Sequence, residues 1–160
     1  MLRILVVCTA NICRSPAGEV FLAKALSSRA VQVDSAGTLA IDNHYAHPVI
    51  QEQMIERGFP IIAQHRSSAL MPSRLAQYSL ILCMEQEHLE WIKRVQPTAT
   101  GKVKLLGHWD GQKGVLDPIN GPKEGYTEAL IIIETYSNQW ADKIVALGLC
   151  PYMRLVCGLI

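Results

Sequence analysis

Apolar positions recur along this chain at two spacings, and the changes between them mark the expected elements. Leu2-Arg3-Ile4-Leu5-Val6-Val7 is a near-continuous aliphatic run, the pattern of a strand buried on both faces. Pro16 then suits the first turn of a helix, and Ala17, Phe21, Leu22, Ala25 and Leu26 follow at helical spacing. Residues 31–35 read as a second strand, stopped by Ala36-Gly37, and 38–47 as a polar and aromatic loop. His47-Pro48 opens a helix with Val49, Met54 and Ile55 apolar, which ends at Gly58 as a left-handed cap. A long connection over 59–70 and a short helix around 72–77 lead to a third strand at 80–84. The helix expected over 85–95 starts with acidic Glu85 and Glu87 and packs through Leu89, Ile92 and Val95. Residues 103–106 form a fourth strand. Residues 107–124 hold four glycines and two prolines and are loop. A last helix over 126–146 carries Leu130, Ile133, Trp140, Ile144 and then Leu147 on one face.

Strands alternating with amphipathic helices predict an α/β fold. The expectation is one doubly wound, four-stranded parallel sheet in the order 2-1-3-4, with helices on both faces. Such sheets bind ligands at the carboxyl ends of their strands, where the strand order reverses, and the first strand ends at Cys8. The domain is expected over 1–147. The apolar stretch 148–160 either packs on it or offers a surface for self-association, so the protein is expected as a monomer or a weak homodimer.

Composition narrows the function. A net charge of +1 supplies no basic field for nucleic acid, and a 49% apolar, 18% charged chain reads as a compact enzyme rather than a disordered segment. No apolar run approaches the roughly 18 residues of a membrane span. Met1 leads straight into a strand, so no leader peptide is read. Five cysteines (Cys8, Cys13, Cys83, Cys150 and Cys157) are odd in number and lack the pairing of a metal knuckle. His44, His47, His65, His88 and His108 likewise lack a metal-binding spacing, so neither metal nor cofactor is expected.

The chemistry is concentrated in Cys8-Thr9-Ala10-Asn11-Ile12-Cys13-Arg14-Ser15, a cysteine, five residues, an arginine and a serine between a strand and a helix. Such a loop turns several backbone N–H groups toward one spot, and the helix dipole favours an anion there. Arg14 can close a planar fork over that anion. The donors that hold a phosphate would also stabilise a Cys8 thiolate, lowering its pKa below that of a free cysteine. Ser15 can give its hydroxyl proton to the sulfur. The expected reaction is attack of the thiolate on phosphorus, a phosphocysteine, and release by water. A reactive thiolate needs a reducing compartment, so the cytoplasm is the expected location. The leaving alcohol needs an acid, and Asp117, stiffened by Pro118, is the first candidate; Asp110 in the same loop is the second.

Three segments, Val7 to Pro16, Asp34-Ser35-Ala36-Gly37 and Asp117-Pro118, resemble the low-molecular-weight protein tyrosine phosphatases, in a bacterial version of the loop. The resemblance runs from Leu2 to about Leu147. It implies Cys8 as nucleophile, Arg14 as phosphate ligand and Asp117 as general acid. It also implies that Thr9, Ala10, Asn11, Ile12, Cys13 and Ser15 bind phosphate or support the loop, with Ser35 and His65 tying it down and Asn11 left-handed. Ser15 supports the thiolate. Cys13 matches a cysteine that can form a reversible, protective disulfide with the nucleophile. The implied partner is a phosphotyrosine protein, with a bacterial tyrosine kinase as a candidate. From the residues themselves, Ser35 also reads as a strand-end turn residue, His65 as a structural loop histidine and Cys13 as inert.

The substrate rim departs from the family. Ile119 stands where a tyrosine or phenylalanine often follows Asp-Pro, and the loop carrying Leu39 and Ile41 is aliphatic and polar. An aliphatic rim forgoes ring–ring contacts of roughly 0.5–1.5 kcal/mol each, so weaker selectivity among aryl phosphates is expected, with Tyr45 or Tyr126 as substitutes. Gly125 loosens the acid loop's anchor. Two rival functions share the loop. An arsenate reductase needs two relay cysteines, whereas Cys83 stands alone until Cys150. A phosphate-binding module without turnover sits poorly with intact Cys8, Arg14 and Asp117.

Overall fold

The computed structural model describes residues 1–151. Strands β1 (Leu2–Cys8), β2 (Val31–Gly37), β3 (Leu80–Cys83) and β4 (Val103–Leu105) form one parallel sheet in the order β2-β1-β3-β4. The helices are α1 (Arg14–Ala25), α2 (Pro48–Glu56), α3 (Gln86–Val95) and α4 (Lys123–Ala146). Three 3₁₀ turns, Pro60–Gln64, Pro72–Gln77 and Pro97–Lys102, lie between them. The α/β class and the strand order match the reading of the sequence; the turns at Pro60–Gln64, in what reads as a connection, and at Pro97–Lys102 are additional.

β1 is central because its side chains serve two cores. Ile4 and Val6 point into the layer formed with α1 and α4, where Phe21, Leu22, Leu130, Ile133 and Trp140 are buried. Leu5 and Val7 point the other way, against Leu89 and Ile92 of α3. Each such aliphatic side chain contributes roughly 1.5–3 kcal/mol by leaving water. α1 rides close over β1 because Gly18 has no side chain: a Cβ there would stand 3.0 Å from Val6 Cγ1. The N-terminus of α1 therefore closes directly over the end of β1.

Several boundaries differ from the expected ones. β2 does not stop before Ala36-Gly37: Gly37 still pairs with Cys8, its N–H donates to Ser68 O and its carbonyl accepts from Leu70 N. α1 begins at Arg14, inside the loop, so Pro16 is its third residue, still in the first turn, where its missing N–H costs no bond. Ala25 is exposed, as are Ile55 (46%) and Leu147 (66%). α2 instead buries Ile50, Gln53 and Met54, a face rotated from the apolar one read in the sequence. Cys150 is buried and Pro151 O accepts from Ala30 N at 3.2 Å, so the start of the 148–160 stretch packs on the sheet edge. Tyr152, Arg154 and Cys157 lie outside the described residues. Among the described residues no helix is long and apolar enough to cross a membrane.

Candidate active site

The loop from Cys8 to Arg14 is organised around Asn11. Asn11 is fully buried and adopts a left-handed backbone (φ 55°), which asparagine tolerates better than most side chains. That twist turns the Asn11 N–H toward Cys8 Sγ at 3.3 Å. The Asn11 side chain then ties three elements to the loop. Its Nδ2 donates to Ser15 Oγ at 2.8 Å and to Ser35 Oγ at 2.9 Å, and its Oδ1 accepts from Ser68 N at 2.8 Å. Ser15 Oγ lies 2.9 Å from Cys8 Sγ. His65 Nε2 donates to Asn11 O at 2.7 Å, and burial of its ring lowers the His65 pKa, which favours the neutral form. Asn11, Ser15, Ser35 and His65 are thus brought together around the sulfur.

Arg14 is almost fully buried, and a lone buried guanidinium would be costly. Its Nη1 donates to Val115 O at 2.8 Å and pairs with Glu85; its Nη2 donates to Asp117 Oδ2 at 2.7 Å. Asp117 Oδ1 also accepts from Ile119 N at 3.1 Å. Thr9 Oγ1 lies 2.9 Å from His88 Nε2, while His88 Nδ1 accepts from Glu85 N, leaving the ring proton on Nε2 to be donated to Thr9. Burial and then the Arg14 charge lower the His88 pKa, in keeping with a neutral ring. Although Glu85, Glu87 and His88 converge, both nitrogens of that ring are already engaged.

Sequence reasoning missed Glu85, His88 and the Val115 carbonyl as supports. Glu85 was legible only as the acid that starts α3. The parallel crossover from β3 to α3 sets it beside Arg14, and nothing in local spacing announces that.

Cys8, Arg14, Asp117 and Ile119 line a cavity of about 130 Å³ with Thr9, Ala10, Asn11, Ile12 and Cys13. An oxyanion the size of phosphate could meet Arg14 and the loop amides there, with sulfur below and a carboxyl beside it. Cys13 is buried; desolvation, then Cys8 and Asp117, push its thiol up to about 12, so it is neutral. Asp110 is bound by Lys113 and Tyr136 and does not line this cavity. Cys83 packs with α3 on one face of the sheet and Cys150 in the core on the other, so among the described residues these two do not form a relay pair.

Ala10 and Ile12 also wall an adjoining groove of about 570 Å³ with Leu39, Ile41 and Tyr45. Leu39 (76% exposed) and Ile41 (73%) are exposed aliphatic side chains of that groove. Tyr45 is exposed there, with the Arg66 guanidinium 3.4 Å over its ring. Tyr126 is not a rim substitute: it is buried and stacked on His47 at 5.0 Å. Gly125 lies within the first turn of α4, its N–H donating to Pro122 O.

A family model for low molecular weight phosphotyrosine protein phosphatase matches residues 3–147. A putative low molecular weight protein-tyrosine-phosphatase of Klebsiella pneumoniae is 38% identical over 143 residues, covering 89% of this chain and 97% of that one. The low molecular weight protein-tyrosine-phosphatase Etp of Escherichia coli K12 is 35% identical over 141 residues, covering 88% and 93%. Among solved structures, the tyrosine phosphatase Wzb of Escherichia coli K30 in complex with sulphate is similar with a TM-score of 0.84 and 37% identity, over 90% of this chain and 99% of that one. The YwlE arginine phosphatase of Geobacillus stearothermophilus is similar with a TM-score of 0.86 and 32% identity, over 93% and 96%.

Proposed function

The chain belongs to the low molecular weight phosphotyrosine protein phosphatase family, a family of hydrolases, and on that basis we propose how its residues remove phosphate from phosphotyrosine. The observation that carries the reading is the sulfur itself. Cys8 Sγ has the Ser15 hydroxyl at 2.9 Å and the Asn11 N–H at 3.3 Å, at the floor of a cavity walled by Arg14 and Asp117.

Cys8 attacks phosphorus as a thiolate, and the P–O bond to the aryl group breaks as the P–S bond forms. Asp117 gives its proton to the departing oxygen. It then takes a proton from water, which attacks phosphorus; the P–S bond breaks, and phosphate leaves. The sulfur departs as a thiolate, held by Ser15 and the Asn11 N–H. In the free protein Asp117 Oδ2 occupies Arg14 Nη2. The incoming phosphate takes over that donor and releases the Asp117 carboxyl toward the leaving oxygen, while Glu85 and Val115 O keep their hold on Nη1. Ile119 and Ile12 flank the ring, and the groove of Leu39, Ile41 and Tyr45 receives the substrate's neighbouring residues. The substrate is a phosphotyrosine protein, with a tyrosine kinase as candidate, in a reducing cytoplasm that keeps Cys8 free.

Peptides carrying phosphotyrosine, phosphoserine or phosphoarginine, assayed in parallel with Cys8→Ser and Asp117→Asn, test this. Phosphotyrosine should be preferred, Cys8→Ser should not turn over, and Asp117→Asn should slow kcat by about 10²–10⁴ while still binding phosphate. Faster release from phosphoarginine than from phosphotyrosine would overturn the aryl reading. Turnover by Cys8→Ser would overturn the covalent one.

A further inference from the structure

We infer that Glu19, on α1, is a positioning residue for the nucleophile, acting through the Ser35 hydroxyl rather than on the substrate. The inference rests on Cys8 being the nucleophile. Ser35 Oγ donates to Glu19 Oε2 at 2.5 Å. From Ser35 a chain of hydrogen bonds runs through Asn11 Nδ2 to Ser15 Oγ and on to Cys8 Sγ.

Counting protons fixes the direction of that chain. The Asn11 amide has two, and both are used, one on Ser35 and one on Ser15. Each serine therefore accepts from Asn11 and must send its single proton elsewhere. Ser15 has Cys8 Sγ at 2.9 Å and Ala36 O at 3.5 Å, and the nearer partner is the sulfur. For Ser35 the acceptor is Glu19. Remove that acceptor, and the Ser35 proton competes with the Asn11 amide for the space between them. The amide that orients Ser15 is then no longer held in one position, and the Ser15 donor on the thiolate loosens with it.

Glu19 does this at a cost. Burial raises its pKa from 4.5, the Ser35 bond pulls it back, and the like charge of Asp34 on β2 raises it again; Lys24 on α1 lines the same cavity of about 380 Å³ beside Phe59 and Ile61. A carboxyl whose folded pKa is raised binds more protons folded than unfolded, so its contribution to stability falls as pH rises through that window. At neutral pH the ionised group works against folding.

Two variants read this out. Glu19→Met has similar length but no acceptor; Glu19→Gln keeps an acceptor oxygen. Glu19→Met should lower kcat on p-nitrophenyl phosphate by about tenfold, the scale of a lost hydrogen bond to a charged group, and slow iodoacetate alkylation of Cys8 at neutral pH. Its Tm should be unchanged or higher, and Glu19→Gln should recover most of both activities. In Ser35→Ala the Glu19→Met change should add nothing further. Wild-type kcat and alkylation in Glu19→Met would overturn the inference, as would activity lost by both variants in step with a lowered Tm, or additive losses with Ser35→Ala. A wild-type protein that fails on aryl phosphates would instead overturn the phosphatase reading, while alkylation would still test Glu19.

Discussion

Replacing Gly37 with alanine should damage catalysis although the residue touches no substrate. Gly37 ends β2 against the phosphate loop. A Cβ built there would stand 2.4 Å from Thr9 O, 2.8 Å from Ala40 Cβ and 2.9 Å from Asn11 N. Comfortable separations are about 3.5 Å, so the contact with Thr9 is short by roughly 1 Å. Its neighbour is backbone and cannot swing aside. β2 is pinned on its far side, with Gly37 N donating to Ser68 O and Leu70 N donating to Gly37 O, each at 2.9 Å. The loop must therefore yield, breaking the Leu39 N to Thr9 O bond and displacing the Asn11 N–H that faces Cys8 Sγ. Overpacking of about 1–3 kcal/mol plus a lost hydrogen bond of about 0.5–1.5 kcal/mol lowers Tm by roughly 5–15 °C. A misplacement of about 1 Å at the donors lowers kcat/KM by about 10². The assay is p-nitrophenyl phosphate hydrolysis below the variant's Tm, with calorimetry. Gly101→Ala is the control, because a Cβ there meets nothing within 4 Å. A folded Gly37→Ala protein with kcat/KM within about threefold of wild type would refute the reasoning.

The remaining predictions are smaller. Ile119→Tyr should raise kcat/KM on aryl phosphates by about three- to tenfold, from a ring–ring gain of roughly 0.5–1.5 kcal/mol; no improvement would count against the expectation that an aliphatic residue at 119 forgoes that contact. Iodoacetamide at neutral pH should label Cys8 and spare Cys13, whose thiol is pushed up to about 12, and peptide mass spectrometry locates the label. His65 and His88 have folded pKa values lowered below 6.5, so the stability tied to their neutral forms is present above 6.5 and lost as pH falls through the folded values. Tm should therefore fall on acidification, and His65→Gln should flatten the slope; an unchanged slope in the variant would assign the acid sensitivity elsewhere.

The order of elements, the sheet and the family were legible in the sequence because their signals are written locally. Aliphatic runs and helical spacing set the element types, and the eight residues from Cys8 to Ser15 are contiguous. Even so, the apolar positions read from periodicity include Ile55 and Leu147, which the structure exposes. Which stripe of a short helix faces inward depends on what packs against it, and a rotation of one residue satisfies the same pattern. Tyr126 could pass for a rim aromatic in the sequence, yet it is buried against His47.

What only the tertiary structure decided is the company of Arg14 and of the sulfur. Glu85, Val115 O and Asp117 reach Arg14 across sequence separations of 71, 101 and 103 residues. Glu19 reaches the loop through Ser35, on a different strand. No spacing rule relates such positions, because they meet only when β1, β2 and β3 are laid side by side and α1 and α3 are docked on opposite faces. A buried guanidinium and a left-handed asparagine each need several partners at once. The sequence supplies those partners as ordinary residues scattered along the chain, and the parallel sheet brings them to the end of β1.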